Sequence, residues 1–171
     1  MPKFMFERYT AVFMHSLANL STILSKAEIH VDDLGIEQSI FIVARLYPNM
    51  RPLSFQVQTA CDLSKRGAAR LALVDAPEDP DSERTFCELQ SRIQRTISFL
   101  ESLRDTVISL DENLEISFSA GPYDLKFDEQ NFVYFWVLPN LHFHVTTAYN
   151  ILRHNGVELK KPDFLGALKG L

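Results

Sequence analysis

Four stretches of this 171-residue chain repeat apolar residues at steps of three and four. That spacing places the apolar side chains on one face of an α-helix. The stretches cover residues 5–30, 52–74, 85–103 and 139–154. Amphipathic helices of this length bury their apolar faces by packing against one another, so the sequence predicts an all-α four-helix bundle. The length of the chain is typical of a single domain, which we expect over residues 1–171.

Between the third and fourth helices the periodicity changes from helical to alternating. Apolar and polar residues alternate in LEISF and YDLKF on either side of AGP, which predicts a small β-hairpin over residues 114–127. Because two strands alone are marginally stable, we expect the hairpin to lie against the helices. Pro139 then follows the helical pattern QNFVYFWV. Proline lacks an N–H donor, so a kink or a restart of the helix is expected there.

The direction of the helices depends on residues 75–84, DAPEDPDSER, which are acidic and contain proline. Thr85 and Glu88 follow with the pattern of a capping box, where the third helix should begin. Ten extended residues reach at most about 33–36 Å, and the second helix would be about 33 Å long. The link can therefore cross the bundle and leave the second and third helices parallel, or it can fold back. Its length does not decide between the two.

Composition restricts the classes of function. The net charge is −5 and the sequence shows no basic face, which argues against nucleic acid as a partner. The densest basic stretch, Lys65, Arg66 and Arg70, is predicted to be a solvated helix flank. No segment has the pattern of a signal peptide or a membrane span. Cys61 and Cys87 lack the spacing of a metal motif, so we expect a soluble, reduced, cytoplasmic protein with no membrane partner.

The fourth helix contains three histidines within LPNLHFHVTTAYNILRHNG, residues 138–156. His142 and His144 are two residues apart, so their side chains point about 200° away from each other and cannot share one metal ion. Asn140 lies one turn before His144 on the same face. Asn140 and His144 are therefore the useful pair of polar residues in this helix.

Three segments resemble a bacterial family, labelled as a domain of unknown function, within the DinB/YfiT-like superfamily of four-helix bundles. They are QVQTACDLSK (56–65), LPNLHFHVTTAYNILRHNG (138–156) and KKPDFLG (160–166). The resemblance covers nearly the whole chain and implies an up-down-down-up bundle, in which a crossover leaves the second and third helices parallel. It also implies a homodimer, since related bundles often pair. A dense aromatic set is predicted first to belong to the core and second to form a dimer face, since aromatic residues dominate interface cores. The set comprises Phe132, Tyr134, Phe135, Trp136 and Phe143.

Metal-binding members of that superfamily use one histidine early in the second helix and an H-x-x-x-H pair in the fourth. This chain matches the pattern at His144 alone. Asn140 takes the place of the first histidine of the pair, and Gln56 or Gln58 takes the place of the ligand in the second helix. Side-chain amides are weak ligands for zinc, nickel or iron. The resemblance therefore implies a degenerate metal site with no cofactor, and a bound divalent metal is the alternative.

Two functional hypotheses follow. In the first, a buried polar cluster sets the helix register or lines a pocket for a small ligand, and the protein is a metal-free binding or structural bundle. The cluster would contain Gln56, Gln58, Asp62, Asn140 and His144. In the second, the resemblance to metal-dependent transferases and isomerases that use thiol cofactors implies an enzyme. His144 would then be a metal ligand or a general base.

Overall fold

The computed structural model describes residues 3–103 and 114–167, and four long helices lie where the periodicity predicts them. They are α1 (Lys3–Leu34), α3 (Leu53–Ala72), α4 (Phe86–Ser102) and α6 (Leu138–His154). Three short helices are α2 (Gln38–Ile42), α5 (Glu129–Asn131) and α7 (Lys161–Leu165). The predicted hairpin consists of β1 (Glu115–Ala120) and β2 (Tyr123–Asp128). Within these residues, none of the helices combines the length and apolar character needed to cross a bilayer.

The apolar faces of the long helices meet in one hydrophobic core. The predicted face of α1 is buried along its length at Phe6, Tyr9, Phe13, Leu17, Leu20 and Leu24. The predicted inner face of α3 is also buried, at Val57, Cys61, Ala68 and Leu71. Each large apolar side chain removed from water contributes about 1.5–3 kcal/mol, so these faces supply most of the stabilisation. The predicted all-α bundle is confirmed.

Contacts at two levels show the relative direction of α1, α3 and α6. Tyr9 on α1 packs edge-on against Tyr134 at a centroid distance of 6.0 Å, and His30 near the other end of α1 lies beside Gly156. Because the two contacts follow in the same order along both helices, α1 and α6 are parallel. Gln56 at the start of α3 bonds to His144 on α6, whereas Gly67, further along α3, lies beside Val137 in the segment before α6. Helices α3 and α6 are therefore antiparallel.

The side chains between α3 and α4 show that these two helices run in the same direction. Asp62 on α3 accepts a hydrogen bond from Arg92 on α4 at 2.9 Å. Three residues further along both helices, Lys65 and Arg95 bind the same carboxylate, Asp79. Because the contacts advance together, α3 and α4 are parallel. The order is thus up-down-down-up, which confirms the arrangement implied by the resemblance.

The crossover, residues 73–85, lies against both α3 and α4 and is held there by ion pairs. Asp79 accepts from Lys65 at 2.6 Å. Glu83 accepts from Arg92 at 3.1 Å and from the Gln58 amide at 2.8 Å. The side chain of Lys65 is only 2% exposed. The prediction of a solvated flank is therefore wrong for Lys65, because the acidic crossover covers it.

The helical course continues through Pro139 after a widened turn. Residues Phe132–Val137 form a π-helical segment, in which the Leu138 N–H donates to the carbonyl of Val133, five residues back. A π-turn inserts one extra residue, which accommodates a following proline that lacks a donor and crowds the preceding turn. The interruption expected at Pro139 therefore takes the form of a widened turn, and α6 begins directly after it.

The hairpin packs against this π-helical segment, as expected for a two-stranded sheet. The ring of Phe118 on β1 lies 5.3 Å from Trp136 and 5.8 Å from Phe132, measured between centroids. On its other side, the guanidinium carbon of Arg70 lies 4.5 Å from the centroid of Phe118. Edge-to-face rings and a cation over a ring face are both favourable contacts. Phe118 thus joins the hairpin to α3 and to the π-helical segment.

Replacing Arg92 by methionine should lower the free energy of unfolding by about 3–5 kcal/mol, because the buried Glu83 and the partly buried Asp62 lose their cation. Urea denaturation followed by far-UV circular dichroism measures the change. Lys126→Met is the matched control, since its ion pair with Glu115 is exposed on the hairpin and should contribute little. Equal midpoints for the two variants would contradict a structural role for the buried network.

Candidate functional site

The structure pairs His144 on α6 with Gln56 on α3. The imidazole Nδ1 lies 2.7 Å from Oε1 of Gln56, and Nε2 of Gln56 donates to the Arg51 carbonyl at 3.0 Å. A carbonyl only accepts, so this second bond orients the amide with its oxygen toward the ring. Nδ1 must then carry the proton and donate it. The lone pair of the neutral imidazole is left on Nε2.

Aromatic rings surround the imidazole of His144. Its centroid lies 6.1 Å from Phe55 and 5.2 Å from Phe143, both in edge-to-face contact. Burial lowers the pKa of His144 below its ordinary value of 6.5, so the ring is neutral at pH 7. A neutral, oriented imidazole can accept a proton or a hydrogen bond at Nε2. These are the two chemical abilities that the pair offers.

Gln58 and Asp62 face a different neighbour. The Gln58 amide donates to Glu83 of the crossover at 2.8 Å, and Asp62 accepts from Arg92 on α4 at 2.9 Å. Gln56 and Gln58 are two residues apart, so their side chains point about 200° away from each other on the helix. Only one of them can face α6, and it is Gln56. Gln58 and Asp62 belong to the buried charged network instead.

Asn140 is also separate from the pair, although it lies one turn before His144. Its side-chain amide donates to the carbonyl of Trp136 in the same helix at 2.7 Å. That carbonyl lies in the π-helical segment, where the ordinary α-helical pattern of acceptors is shifted. Of the five predicted site residues, the structure therefore brings two together, Gln56 and His144.

The donor groups at this position do not fit a transition-metal ion. Over residues 3–103 and 114–167, no three His, Cys, Asp or Glu side chains lie close enough together to hold a metal ion. His144 supplies one imidazole, while the amides of Gln56 and Asn140 are already engaged in hydrogen bonds. Amides are weak ligands for zinc, nickel and iron in any case. We derive no chemical step through a metal at this site.

The thiols do not add a nucleophile to the pair. Cys61 is buried on α3, and burial raises the pKa of its thiol to about 12. A thiol with that pKa stays protonated at neutral pH and is a poor nucleophile. Cys87 is exposed on α4, and both cysteines are free. The chemistry of the candidate site therefore rests on His144.

A cleft of about 370 Å³ opens beside the pair. One face of α3 forms its floor, and β1 and the π-helical segment form its walls. The principal lining residues are Phe55, Arg66, Arg70, Phe118, Phe132 and Trp136. Phe55 lines the cleft and also contacts His144, so it links the pair to the cleft, although neither Gln56 nor His144 is among the lining residues. This cleft was not predicted from the sequence, although its lining includes Phe132 and Trp136 of the aromatic set, Arg66 and Arg70 of the basic stretch, and Asp62 of the predicted cluster.

Comparison with known proteins agrees with this architecture. The family model described as Domain of unknown function (DUF1993) matches residues 5–165. The crystal structure of a DinB family member protein from Shewanella denitrificans matches with a TM-score of 0.87 at 35% sequence identity. That match covers 99% of this chain and 98% of the other. No curated protein matches this chain. The predicted resemblance to a DinB-like domain of unknown function is confirmed.

His144→Ala should lower the free energy of unfolding by about 1–3 kcal/mol, because Gln56, only 3% exposed, loses its partner. The pKa of His144 is lowered by burial, so the unfolded chain binds a proton more readily than the folded protein. The stability contributed by the neutral ring is complete above about pH 6.5. This contribution to the free energy of unfolding decreases as the pH falls from about 6.5 toward the pKa of His144 in the folded protein. The variant should lack this decrease.

Urea denaturation at pH 7.5 and at pH 5.5 measures both effects. His142→Ala is the matched control, since His142 is exposed on the same helix. A His144→Ala variant that unfolds like the wild-type protein at both pH values would show that the pair does not stabilise the fold.

Proposed function

The chain belongs to the family described as Domain of unknown function (DUF1993), and we propose that this DinB-like bundle is a single-domain, metal-free protein that binds a small molecule. The observation that carries the proposal is the hydrogen bond between Gln56 and His144. The resemblance places His144 at the position of one metal ligand and Gln56 or Gln58 at the position of another. In this protein an amide and a neutral imidazole form a hydrogen bond with each other at those positions, near an open cleft.

The cleft supports a binding role through its size and lining. Small-molecule sites are concave, about 300–1,000 Å³ in volume, and mostly apolar with a few polar groups. This cleft has a volume of about 370 Å³ and combines aromatic walls with charged groups. The proposal keeps the cytoplasmic location expected from the cysteines, which suits the free thiols of Cys61 and Cys87.

Introducing the two missing histidines tests whether the site is a degenerate metal site. The double variant Gln56→His and Asn140→His should retain stoichiometric zinc after dialysis, because three imidazoles form a strong ligand set. The wild-type protein, purified without a tag, should retain none. Elemental analysis measures the zinc content of each. The control is Gln58→His with Asn140→His, since Gln58 faces Glu83 of the crossover rather than α6.

Two outcomes of that experiment would contradict the proposal. Stoichiometric zinc, nickel or iron in the wild-type protein would show that the natural site is not metal-free. Equal zinc content in the two double variants would show that Gln56 does not occupy the position of a metal ligand.

An enzymatic role for His144 is the second candidate, and one observation favours it. Gln56 holds Nδ1, so that the free lone pair on Nε2 has a defined direction, as a positioned general base requires. Such an isomerase or transferase would use His144 without a metal. Turnover of a bound compound by the wild-type protein, lost in His144→Ala but retained in His142→Ala, would favour this role over simple binding.

We also propose that the protein forms a homodimer through aromatic side chains exposed on the π-helical segment and α6. Phe135 is 72% exposed and Phe143 is 59% exposed. They are eight residues apart, which is about two helical turns. Exposed aromatic residues are enriched in interface cores, since their large apolar area is costly to leave in water.

The double variant Phe135→Ser and Phe143→Ser should weaken this dimer, because it removes both aromatic contacts. Sedimentation velocity over a range of protein concentrations measures the dissociation constant. Tyr123→Ser is the control, since Tyr123 is 68% exposed at the hairpin turn, away from α6. A wild-type protein that sediments as a monomer at every concentration would contradict the proposal.

A further inference from the structure

We infer that the cleft between α3, β1 and the π-helical segment binds an aryl carboxylate, with the ring between aromatic walls and the carboxylate on Arg70. This inference rests on the proposed binding function and names the class of ligand. It follows from three features of the cleft: its walls, the state of its cations and the state of its acids.

The walls of the cleft are suited to a flat apolar group. The centroid of the Phe118 ring lies 5.8 Å from that of Phe132 and 5.3 Å from that of Trp136. Phe55 adds a fourth ring near His144. Ring pairs at these distances gain energy from offset or edge-to-face contact, and each ring exposes a large apolar area. The volume of about 370 Å³ is small among ligand sites, so it suits a body of one or two rings.

Arg70 is a half-buried cation that has no acidic partner within residues 3–103 and 114–167. Its guanidinium lies over the ring of Phe118 and lines the cleft. Burial, together with the charge of Arg66 one turn earlier, lowers the pKa of Arg70. A carboxylate bound in the cleft would supply the missing anion. The planar guanidinium can bind it through two parallel hydrogen bonds.

The acids that line the cleft do not compensate Arg70. Asp62 and Asp81 each pair with the buried Arg92, at 2.9 Å and 3.0 Å. Asp62 also approaches Arg66 at 3.4 Å. Both carboxylates are therefore engaged with other cations, which leaves Arg70 beside the aromatic walls with no carboxylate partner among the described residues. One uncompensated guanidinium favours a single-charged carboxylate over a phosphate.

The single tryptophan of the chain, Trp136, lies in the wall and reports binding directly through its fluorescence. The probes are 3-phenylpropionate and its neutral amide, 3-phenylpropanamide, which have nearly the same shape and do not absorb at a 295 nm excitation wavelength. We expect the acid to bind at least about tenfold more tightly than the amide, since a charge-assisted pair is lost with the amide. Inorganic phosphate alone should not compete at equal concentration.

Arg70→Gln should weaken binding of the acid by at least about tenfold and leave binding of the amide unchanged. Arg70→Lys keeps the charge but not the two parallel bonds, so it should give an intermediate value. Arg153→Gln is the control, since Arg153 is an exposed arginine at the end of α6. Far-UV circular dichroism and thermal midpoints show whether each variant is folded.

Equal affinity for the acid and the amide would overturn the inference, and so would an unchanged affinity in folded Arg70→Gln. Competition by phosphate as strong as that of the acid would overturn the aromatic part of the ligand class. These failures are distinct from failure of the proposed function. Retained metal in the wild-type protein overturns the metal-free proposal without changing the fluorescence titration, whereas equal binding of acid and amide leaves the zinc result unchanged.

Discussion

The buried guanidinium of Arg92 is the interaction on which the chain direction depends. It binds Glu83 of the crossover and Asp62 of α3, and its side chain has no exposed surface. A cation in such surroundings is tolerated only with its partners in place, so the acidic crossover must stay against the bundle. The crossover returns the chain to the end where α3 began. For that reason α4 runs parallel to α3.

The candidate site follows from this arrangement. With α3 and α4 parallel, α6 fills the remaining side of α3 in the antiparallel direction and places His144 opposite Gln56. The widened turn before α6 carries Trp136 to the hairpin, where it packs against Phe118. The polar pair and the aromatic cleft are thus two parts of one face of α3. Phe55 connects them.

Much of the fold could be predicted because helical periodicity reports which residues must leave water. The candidate site was harder to predict. Spacing indicated His144, but it could not show that Gln58 turns toward the crossover or that Asn140 bonds within its own helix. Lys65 looked solvated for a similar reason, since a sequence shows charges without showing what lies over them. The acidic link and the basic residues Arg92 and Lys65 carry opposite charges. That complementarity is the feature of the sequence that could have indicated the buried network.

By itself, the sequence determined the four amphipathic helices, the capping box at Thr85 and the hairpin, because each depends on residues that are near one another in the chain. Tertiary structure alone decided which residues meet across the bundle. It paired Gln56 rather than Gln58 with His144, and it placed Arg70 beside aromatic rings with no carboxylate partner in the part of the chain that the structure describes. Those outcomes depend on how whole helices are turned and which element covers each face. Local spacing contains no information about either.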